Sequence, residues 1–299
     1  MDAMLMDVKR FAVHDGPGIR TTLFLKGCSL KCIWCHNPEG IGTKPQMAYY
    51  EHKCIGCGGC VSVCAQGAQK IGPEGHRFDR SVCAACGACE PACLGEAMKR
   101  FGRRVTLEEA LTLALEDAAF YGETGGVTLS GGEPLLQADF CAKMARELKA
   151  RGVSTAIDTC GNVDWSAFEK LLPDAEMFLF DVKHIDPEAH RRLTGQTNER
   201  ILQNLRRLSD AGARIEIRMP LVPGCNDDSA TLHGIGQFLG ALHIEKMRVL
   251  PYHSMARSKY RALGMPDTMP DVPSPDDAQI AAAVEILRGY GVEAVSGRA

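Results

Sequence analysis

The 299-residue sequence lacks a large excess of charge of either sign and a long apolar segment, and we expect no secretion signal. Its 34 Lys and Arg residues nearly balance 37 Asp and Glu residues, so the formal net charge is −3. Such a balance provides no broad positive surface for nucleic acid or for an acidic membrane. No uninterrupted apolar run approaches the ~20 residues that span a bilayer. Charged residues also interrupt the first ten positions, where a signal peptide would carry apolar residues. We therefore expect a cytoplasmic protein that binds neither nucleic acid nor a membrane.

Cysteine is the residue present in excess. The chain has 14 cysteines, and most of them lie between Cys28 and Cys93. Disulfide frameworks of that density belong to short secreted chains, and this chain is neither short nor visibly secreted. Clustered cysteines in such a chain are more typical of metal or cluster ligands.

Two sets of four cysteines share the spacing C-x2-C-x2-C-x3-C: Cys54, Cys57, Cys60 and Cys64, then Cys83, Cys86, Cys89 and Cys93. Bacterial ferredoxins with two 4Fe–4S clusters have this pattern, and the fourth cysteine of each set binds the other cluster. We therefore assign one cluster to Cys54, Cys57, Cys60 and Cys93, and the other to Cys83, Cys86, Cys89 and Cys64. The proline that usually follows each fourth cysteine is absent. A pair of zinc knuckles is the alternative, but zinc sites usually combine two separated C-x2-C pairs.

A third group, Cys28, Cys32 and Cys35, directly follows a β-rich segment at residues 19–26. Three thiolates on one loop can hold three irons of a 4Fe–4S cluster and leave the fourth iron open to a small chelating ligand. The alternative is a zinc site with three cysteines and the adjacent His36. The remaining cysteines, Cys141, Cys160 and Cys225, are predicted to be plain thiols.

After residue 100 the apolar pattern alternates between strands and helices. Strands are predicted at residues 127–129, 154–157, 177–182, 214–219 and 246–250, with a short terminal strand at 292–295. Together with residues 19–26 this gives about six β/α units and a parallel sheet. A full eight-unit barrel usually needs ~250 residues and eight strands. We predict an α/β fold: a partial (β/α)6 open barrel of residues 1–45 and 101–299, with an inserted bacterial-ferredoxin-like domain at residues 46–100.

Polar residues and glycines follow the ends of successive predicted strands, where parallel sheets place their working residues. The segments are Ser130-Gly131-Gly132-Glu133-Pro134, Asp158-Thr159, Asp181-Val182-Lys183, Arg218 and His253. Paired glycines let the backbone approach a ligand closely. The mixture of cations and anions is suited to a zwitterionic ligand.

The cysteine triad, the SGGEP segment and the partial barrel resemble the radical S-adenosylmethionine (SAM) enzymes. Further segments resemble the activating enzymes of glycyl radical enzymes, which are relatives of pyruvate formate-lyase activase. They are DGPGIR at 15–20, residues 27–39, DVKHID at 181–186 with HRRLTG at 190–195, RMPLVPGCND at 218–227, and LPYH at 250–253 with Lys259-Tyr260. The resemblance covers essentially the whole chain. Pyruvate formate-lyase activase lacks the two-cluster insert, which some activators of other glycyl radical enzymes carry.

The resemblance implies a binding role for each strand-end segment. Cys28, Cys32 and Cys35 would hold a cluster whose open iron takes the amino and carboxylate groups of SAM. Residues from Trp34 to His36 would face the adenine, and His253 would contact the nucleoside. Gly131 and Gly132, followed by Glu133, would meet the methionine amino group. Lys183 and Arg218 would pair with its carboxylate, and Asp158, Thr159 and Asp181, next to Val182, would hold a monovalent cation.

The resemblance also implies the reaction. An electron from the reduced cluster would cleave SAM to methionine and a 5′-deoxyadenosyl radical, which removes a hydrogen from a glycine of a partner glycyl radical enzyme and leaves 5′-deoxyadenosine. Asp15 would lie on the segment that meets the partner's glycine loop. We expect an oxidoreductase with three 4Fe–4S clusters, a flavodoxin or ferredoxin as electron donor, a monomeric state and an anaerobic setting. The alternatives are a radical SAM enzyme acting on a small molecule or peptide, and a polyferredoxin-type electron carrier.

Overall fold

The computed structural model describes residues 1–297. The strands in this part of the chain are β1 (Asp2–Ala12), β2 (Arg20–Leu25), β3 (Gln46–Tyr49), β4 (Gln69–Gly72), β5 (Gly75–Phe78), β6 (Met98–Phe101), β7 (Arg103–Thr106), β8 (Gly126–Gly131), β9 (Ser154–Thr159), β10 (Met177–Asp181), β11 (Ile215–Leu221), β12 (Lys246–Pro251) and β13 (Ala294–Ser296). The α-helices are α1 (Gly59–Ser62), α2 (Leu107–Leu115), α3 (Ala138–Lys149), α4 (Trp165–Leu171), α5 (Pro187–Thr194), α6 (Glu199–Asp210), α7 (Ser229–Leu239), α8 (Arg257–Leu263) and α9 (Asp277–Arg288).

The main sheet has nine strands in the order β13-β12-β11-β10-β9-β8-β2-β1-β7 within residues 1–297. The seven strands at one side of this order, from β13 to β2, run parallel to one another. β13 and β7 lie at opposite ends of the order, so the sheet is open. The predicted α/β fold with six β/α strands and a terminal strand is confirmed.

Two strands of the main sheet were not predicted from the sequence. β1 pairs antiparallel with β2, and β7 pairs antiparallel with β1. β1 carries charged residues such as Asp7 and Lys9 on a partly exposed strand. Charges at these positions interrupt the apolar run that identified the buried parallel strands.

Apolar side chains from the strands and from the surrounding helices form one large core. Leu129, Ile157 and Phe180 of successive strands are fully buried in it, together with Met144 of α3 and Leu205 of α6. A capping box begins α2: the Thr106 hydroxyl accepts from the backbone N–H of Glu109, whose carboxylate accepts from the N–H of Thr106. These elements hold the carboxyl ends of the parallel strands side by side.

Residues 46–101, which include the predicted insert, carry two small sheets outside the main one. β3 pairs with β6, and β4 pairs with β5, both antiparallel. The small core between them contains Met47, Cys60, Cys89 and Met98. Cysteines therefore occupy positions that large apolar side chains fill in an ordinary core.

No helix within residues 1–297 is both long and apolar enough to cross a membrane.

Candidate active site

A cavity of about 680 Å³ opens at the carboxyl ends of the parallel strands. It collects most of the residues that the sequence singled out: Cys28, Cys32, Cys35, Asp15, Trp34, His36, Gly131, Gly132, Asp158, Asp181, Lys183 and Arg218. These positions span residues 15 to 218, so only the fold brings them together.

The cysteine loop follows β2 and is fastened by two short helices. The backbone N–H groups of Lys31 and Ile33 donate to the carbonyls of Thr194 and Leu193, at the end of α5, over 2.7 and 3.0 Å. On the other side, the Tyr260 hydroxyl of α8 donates to the Cys35 carbonyl over 3.1 Å. The loop therefore presents its cysteines from a fixed backbone.

The chemistry of the triad fits a bound metal cluster. Burial raises the pKa of Cys32 and of Cys35 to about 12, so neither thiol ionises near neutral pH without a compensating positive charge. Metal binding supplies that charge and displaces the proton. Cys28 differs, because a hydrogen bond with Cys160 lowers its pKa against the effect of burial. Within residues 1–297, no three His, Cys, Asp or Glu side chains are arranged to hold a single metal ion.

Opposite the cysteines, cations and carboxylates alternate. Lys183 pairs with Asp181 over 2.5 Å, and Arg218 lies 3.6 Å from Asp158 and 4.0 Å from Asp15. Burial opposes the charge of Lys183, but Asp181 prevails and raises its pKa. Nε of Arg218 is buried and has no hydrogen-bond partner in the described part of the chain. Buried donors are nearly always paired, so this donor fits an acceptor brought by a ligand.

Comparison with known proteins agrees with this geometry. The family model "Radical SAM superfamily" matches residues 22–233. The chain belongs to the radical SAM superfamily. Two of its similar relatives are the indoleacetate decarboxylase activating enzyme of Tractidigestivibacter scatoligenes (36% identity; 99% of this chain, 97% of the relative) and the isethionate sulfite-lyase activating enzyme of Desulfovibrio desulfuricans (39%; 90% and 89%). Among solved structures, a domain of pyruvate-formate lyase-activating enzyme from Bacteroides vulgatus matches with TM-score 0.50 and 29% identity, over 57% of this chain and 98% of that one.

Within the superfamily, the chain is an activating enzyme of glycyl radical enzymes and therefore uses SAM and a 4Fe–4S cluster. The predicted class of enzyme and the predicted use of SAM with a 4Fe–4S cluster are confirmed. A three-cysteine loop opposite two buried cations is a donor set that fits these two groups.

Gly132, which directly follows β8, lies where this activating enzyme has no room for a side chain. A Cβ at Gly132 would overlap the carbonyl oxygens of Gly27 and Gly40, at the two ends of the cysteine loop. The N–H of Glu133 donates to the same Gly27 carbonyl over 2.6 Å. The glycines thus bring the end of β8 against the cysteine loop.

Four predicted contacts do not line the cavity, and the structure gives three of them other partners. The Thr159 hydroxyl donates to the fully buried Glu133 carboxylate over 2.8 Å, and that carboxylate also accepts from the N–H of Cys160. Glu133 and Thr159 therefore brace the ends of β8 and β9 behind the cavity wall. The N–H of buried Val182 donates to the carbonyl of Arg218, within the sheet. The side chains of Glu133 and Thr159 and the backbone N–H of Val182 therefore have partners within the protein, and none of the three residues lines the cavity.

The fourth, His253, is exposed beside the cavity and packs on His36. The two rings lie 4.1 Å apart, and Nε2 of His36 is 2.9 Å from the His253 carbonyl oxygen. Burial is the main cause that lowers the pKa of His36 to about 4, and the charge of nearby His253 is the second, so the His36 ring is neutral at pH 7. A neutral ring at the rim is suited to stacking on a flat heterocycle.

Sequence reasoning missed the role of Lys259, although it noted the residue in a family motif. Its ammonium donates to the His36 carbonyl, to Oδ1 of Asn37 and to Oε1 of Glu39, over 2.9, 3.2 and 2.6 Å. Glu39 is almost completely buried, and the carbonyl of the same residue accepts from buried Lys26. Lys26 and Glu39 flank the cysteine triad in the sequence, but only the structure shows that both are buried and therefore need partners.

The two cysteine quartets lie together in the segment of residues 46–101. Burial raises the pKa of Cys60, and the neighbouring Cys93, Cys54 and Cys57 add to the shift. Cys89 is influenced in the same way by Cys83 and Cys86, and burial raises its pKa to about 11. Cys60 is therefore close enough to Cys93 of the other quartet, as well as to Cys54 and Cys57, for their charges to influence its pKa.

The sequence repeat in this segment is matched by a repeated hydrogen bond. The N–H of Ala68 donates to Sγ of Cys64 over 3.3 Å, and the N–H of Ala97 donates to Sγ of Cys93 over 3.2 Å. Each fourth cysteine thus receives an amide donor from the equivalent alanine. Such donors suit a ligand sulfur that carries negative charge.

Proposed function

We propose that this chain binds SAM against a 4Fe–4S cluster held by Cys28, Cys32 and Cys35 and activates a glycyl radical enzyme at one glycine. The observation that supports this most directly is one cavity that three partly buried thiols line together with Lys183 and Arg218. When bound, the cluster and SAM supply the one-electron chemistry that removes a hydrogen atom from the glycine Cα.

The cavity's own residues bind and orient the cofactor. Lys183 and the unpaired Nε of Arg218 would receive the SAM carboxylate, and the backbone at Gly131 and Gly132 would receive its amino group. Trp34, His36 and His253 would contact the adenosine part. A monovalent cation would rest on the carboxylates of Asp158 and Asp181, without Thr159, whose hydroxyl bonds to Glu133.

Asp15 lies where the cavity meets the DGPGIR segment, and it would face the partner's glycine loop. Its carboxylate accepts from the Thr22 hydroxyl over 2.9 Å and is 4.0 Å from Arg218. Arg218 also donates to the carbonyl of His14. The same arginine would therefore align the cofactor and the segment that meets the partner.

Residues 46–100 would form the ferredoxin-like domain with two further 4Fe–4S clusters, giving three in the chain. The close approach of Cys93 to Cys60 and the paired Ala68 and Ala97 amides support this arrangement. Cys57 and Cys86 are exposed. Each is thus accessible to a flavodoxin or ferredoxin that would deliver electrons for relay to the cavity.

The proposed partner is defined as a class. Relatives of similar identity are named for different lyases and dehydratases, for a decarboxylase and for a synthase. A glycyl radical enzyme encoded beside this chain is the first to test, with the reconstituted chain acting as a monomer.

The test is anaerobic incubation of the reconstituted chain with SAM, a reductant and that partner. We expect a glycyl radical signal by electron paramagnetic resonance (EPR) and 5′-deoxyadenosine in matching yield. Cys35→Ala should abolish both products, and Cys225→Ala, which alters a thiol outside the three cysteine groups, should retain them. Production of 5′-deoxyadenosine that does not depend on the partner would instead favour a radical SAM enzyme acting on a small molecule or peptide.

The relay needs a separate test. Cys57→Ala and Cys86→Ala should slow activation driven by a flavodoxin or ferredoxin more than activation driven by a small chemical reductant. Equal rates for both variants and the unmodified chain with the protein donor would exclude the relay.

A further inference from the structure

The hairpin of β4 and β5 places two polar side chains on one face. Its register pairs Gln69 with Phe78 and Ile71 with His76, so these four side chains share a face. Gln69 is almost completely buried and His76 is half-buried. Gln69 and His76 are diagonal neighbours on this face, and both reach toward the cysteines.

These two side chains connect the two quartets. Nε2 of His76 is 2.8 Å from Oε1 of Gln69 and 3.4 Å from Sγ of Cys60. The amide nitrogen of Gln69 donates to Sγ of Cys89 over 3.8 Å. Cys60 and Cys89 are the third cysteines of the two quartets and the buried members of their sets.

The contacts determine which atoms donate. Nε2 of His76 faces two acceptors, the Gln69 oxygen and the Cys60 sulfur, so it carries the hydrogen and donates to both. The other ring nitrogen, Nδ1, is buried and has no hydrogen-bond partner among residues 1–297. The Tyr49 ring packs at 4.5 Å and holds the imidazole in place. Each quartet therefore has one N–H donor aimed at its third cysteine.

The sequence repeat shows that the Gln69 donor is not dictated by the cysteine pattern. The offset that relates Cys64 to Cys93 and Ala68 to Ala97 relates Gln69 to Met98. Met98 lies in the same small core as Cys60 and Cys89, but its side chain has no N–H to donate. His76 lies on the hairpin between the quartets and supplies the donor on the Cys60 side.

We propose that Gln69 and His76 form a hydrogen-bonded pair that raises the reduction potentials of the two auxiliary clusters by donating to Cys60 and Cys89. This inference rests on the proposed function, which places those clusters in residues 46–100. Reduction adds negative charge to a cluster, and a hydrogen bond donated to a ligand sulfur stabilises the more negative state more strongly. Gln69 and His76 are positioning residues that act through the cysteine ligands.

The test compares single variants of the full chain, reconstituted anaerobically and titrated potentiometrically with EPR detection. His76→Phe removes the donor to Cys60, and Gln69→Leu removes the donor to Cys89. Loss of one such bond should weaken electron affinity about five- to tenfold, and tenfold corresponds to a downward shift of about 59 mV for a one-electron couple. His76→Gln keeps an N–H and should restore much of the potential. His52→Phe alters an exposed histidine of the same segment that packs on Tyr50, and it is the matched control.

Iron content separates failure of this inference from failure of the proposed function. An unmodified chain that binds about four irons in place of about twelve would overturn the auxiliary clusters themselves. With about twelve irons bound, potentials of His76→Phe and Gln69→Leu that match His52→Phe would overturn the hydrogen-bonding role.

A second measurement covers variants that fail to retain their clusters. The unmodified chain labelled with ¹⁵N-histidine should show a ¹⁵N coupling to a reduced auxiliary cluster in pulsed EPR, and His76→Gln should lose it. Absence of the coupling in the unmodified chain would contradict the His76–Cys60 contact.

Discussion

The ion pair between Lys259 and Glu39 should contribute more to stability than its length alone suggests. The ammonium nitrogen lies 2.6 Å from the carboxylate, with the Glu39 side chain 4% exposed and that of Lys259 33% exposed. Lys259→Met would leave a buried carboxylate that has lost its ion-pair partner. Breaking a buried pair costs about 3–5 kcal/mol, and partial exposure of Lys259 reduces this to about 2–3 kcal/mol.

A surface pair of the same length is the matched control. Lys170 lies 2.6 Å from Asp139, but both side chains are substantially exposed. Lys170→Met should therefore cost less than about 1 kcal/mol. Anaerobic urea unfolding followed by circular dichroism measures both variants, and their difference should be about 2 kcal/mol at constant slope.

Burial of the charge is the cause to be tested. In the double variant Glu39→Leu/Lys259→Met the buried carboxylate is gone, so part of the lost stability should return. Equal losses in Lys259→Met and Lys170→Met, or a double variant less stable than Lys259→Met, would refute the reasoning.

Three further predictions concern the cavity and its surroundings. Arg218→Lys keeps the charge but loses the unpaired Nε donor, so the SAM dissociation constant should rise about tenfold in equilibrium binding. The control is Arg248→Lys, which alters an ion pair with Glu216 outside the cavity. An unchanged dissociation constant in Arg218→Lys would contradict the assignment. Gly132→Ala should lower the iron content, because the added Cβ overlaps two carbonyl oxygens of the cysteine loop. In the control Gly72→Ala the Cβ meets open space, and equal iron content in both variants would refute the close approach of Gly132 to the cysteine loop. Burial lowers the pKa of His184 below its ordinary value of about 6.5, so below that pH the unfolded chain binds more protons than the folded chain. The free energy of unfolding should therefore fall as pH decreases, and His184→Gln should weaken this dependence. An unchanged pH dependence would exclude His184 as its cause.

The order of the parallel strands and the placement of the cysteines could be predicted from the sequence. Strands buried on both faces are continuous apolar runs, and β10 is an example because all but its last residue are buried. The strand-end polar residues then converge by topology alone. Asp158 and Arg218 could thus be assigned to one site from separate segments, although the sequence contains no direct sign of their 3.6 Å contact.

Side-chain direction is what the sequence did not determine. Thr159 follows Asp158 on the same strand, so their side chains point to opposite faces of the sheet. Asp158 lines the cavity, whereas Thr159 bonds to Glu133 behind its wall. A family motif identifies the whole segment as important. Because side chains alternate between the two faces of a strand, only some residues of the segment face the cavity, and the others pack behind its wall.

Helix α5 is indicated in the sequence by its capping residues alone. Asp186 accepts from the N–H of Ala189 as the N-cap, Pro187 occupies the first turn, and Gly195 ends the helix in the left-handed conformation. Its eight residues are too few to establish a helical apolar period. Capping residues alone would have located it, and with it the support for the cysteine loop.

Helix α8 shows how a short element can hold two functional regions together. Its Lys259 and Tyr260 bond to the cysteine loop, at Glu39 and at the Cys35 carbonyl. The next turn faces residues 46–101: the Ala262 carbonyl accepts from Arg80 over 2.5 Å, and Leu263 packs in a cluster with Phe101. One seven-residue helix therefore contacts both the catalytic loop and the segment proposed to carry the auxiliary clusters. The relay requires these two regions to keep a fixed relative position. Lys259→Met should therefore slow activation by a protein electron donor more than activation by a chemical reductant. Equal slowing with both reductants would show that α8 supports the catalytic loop alone.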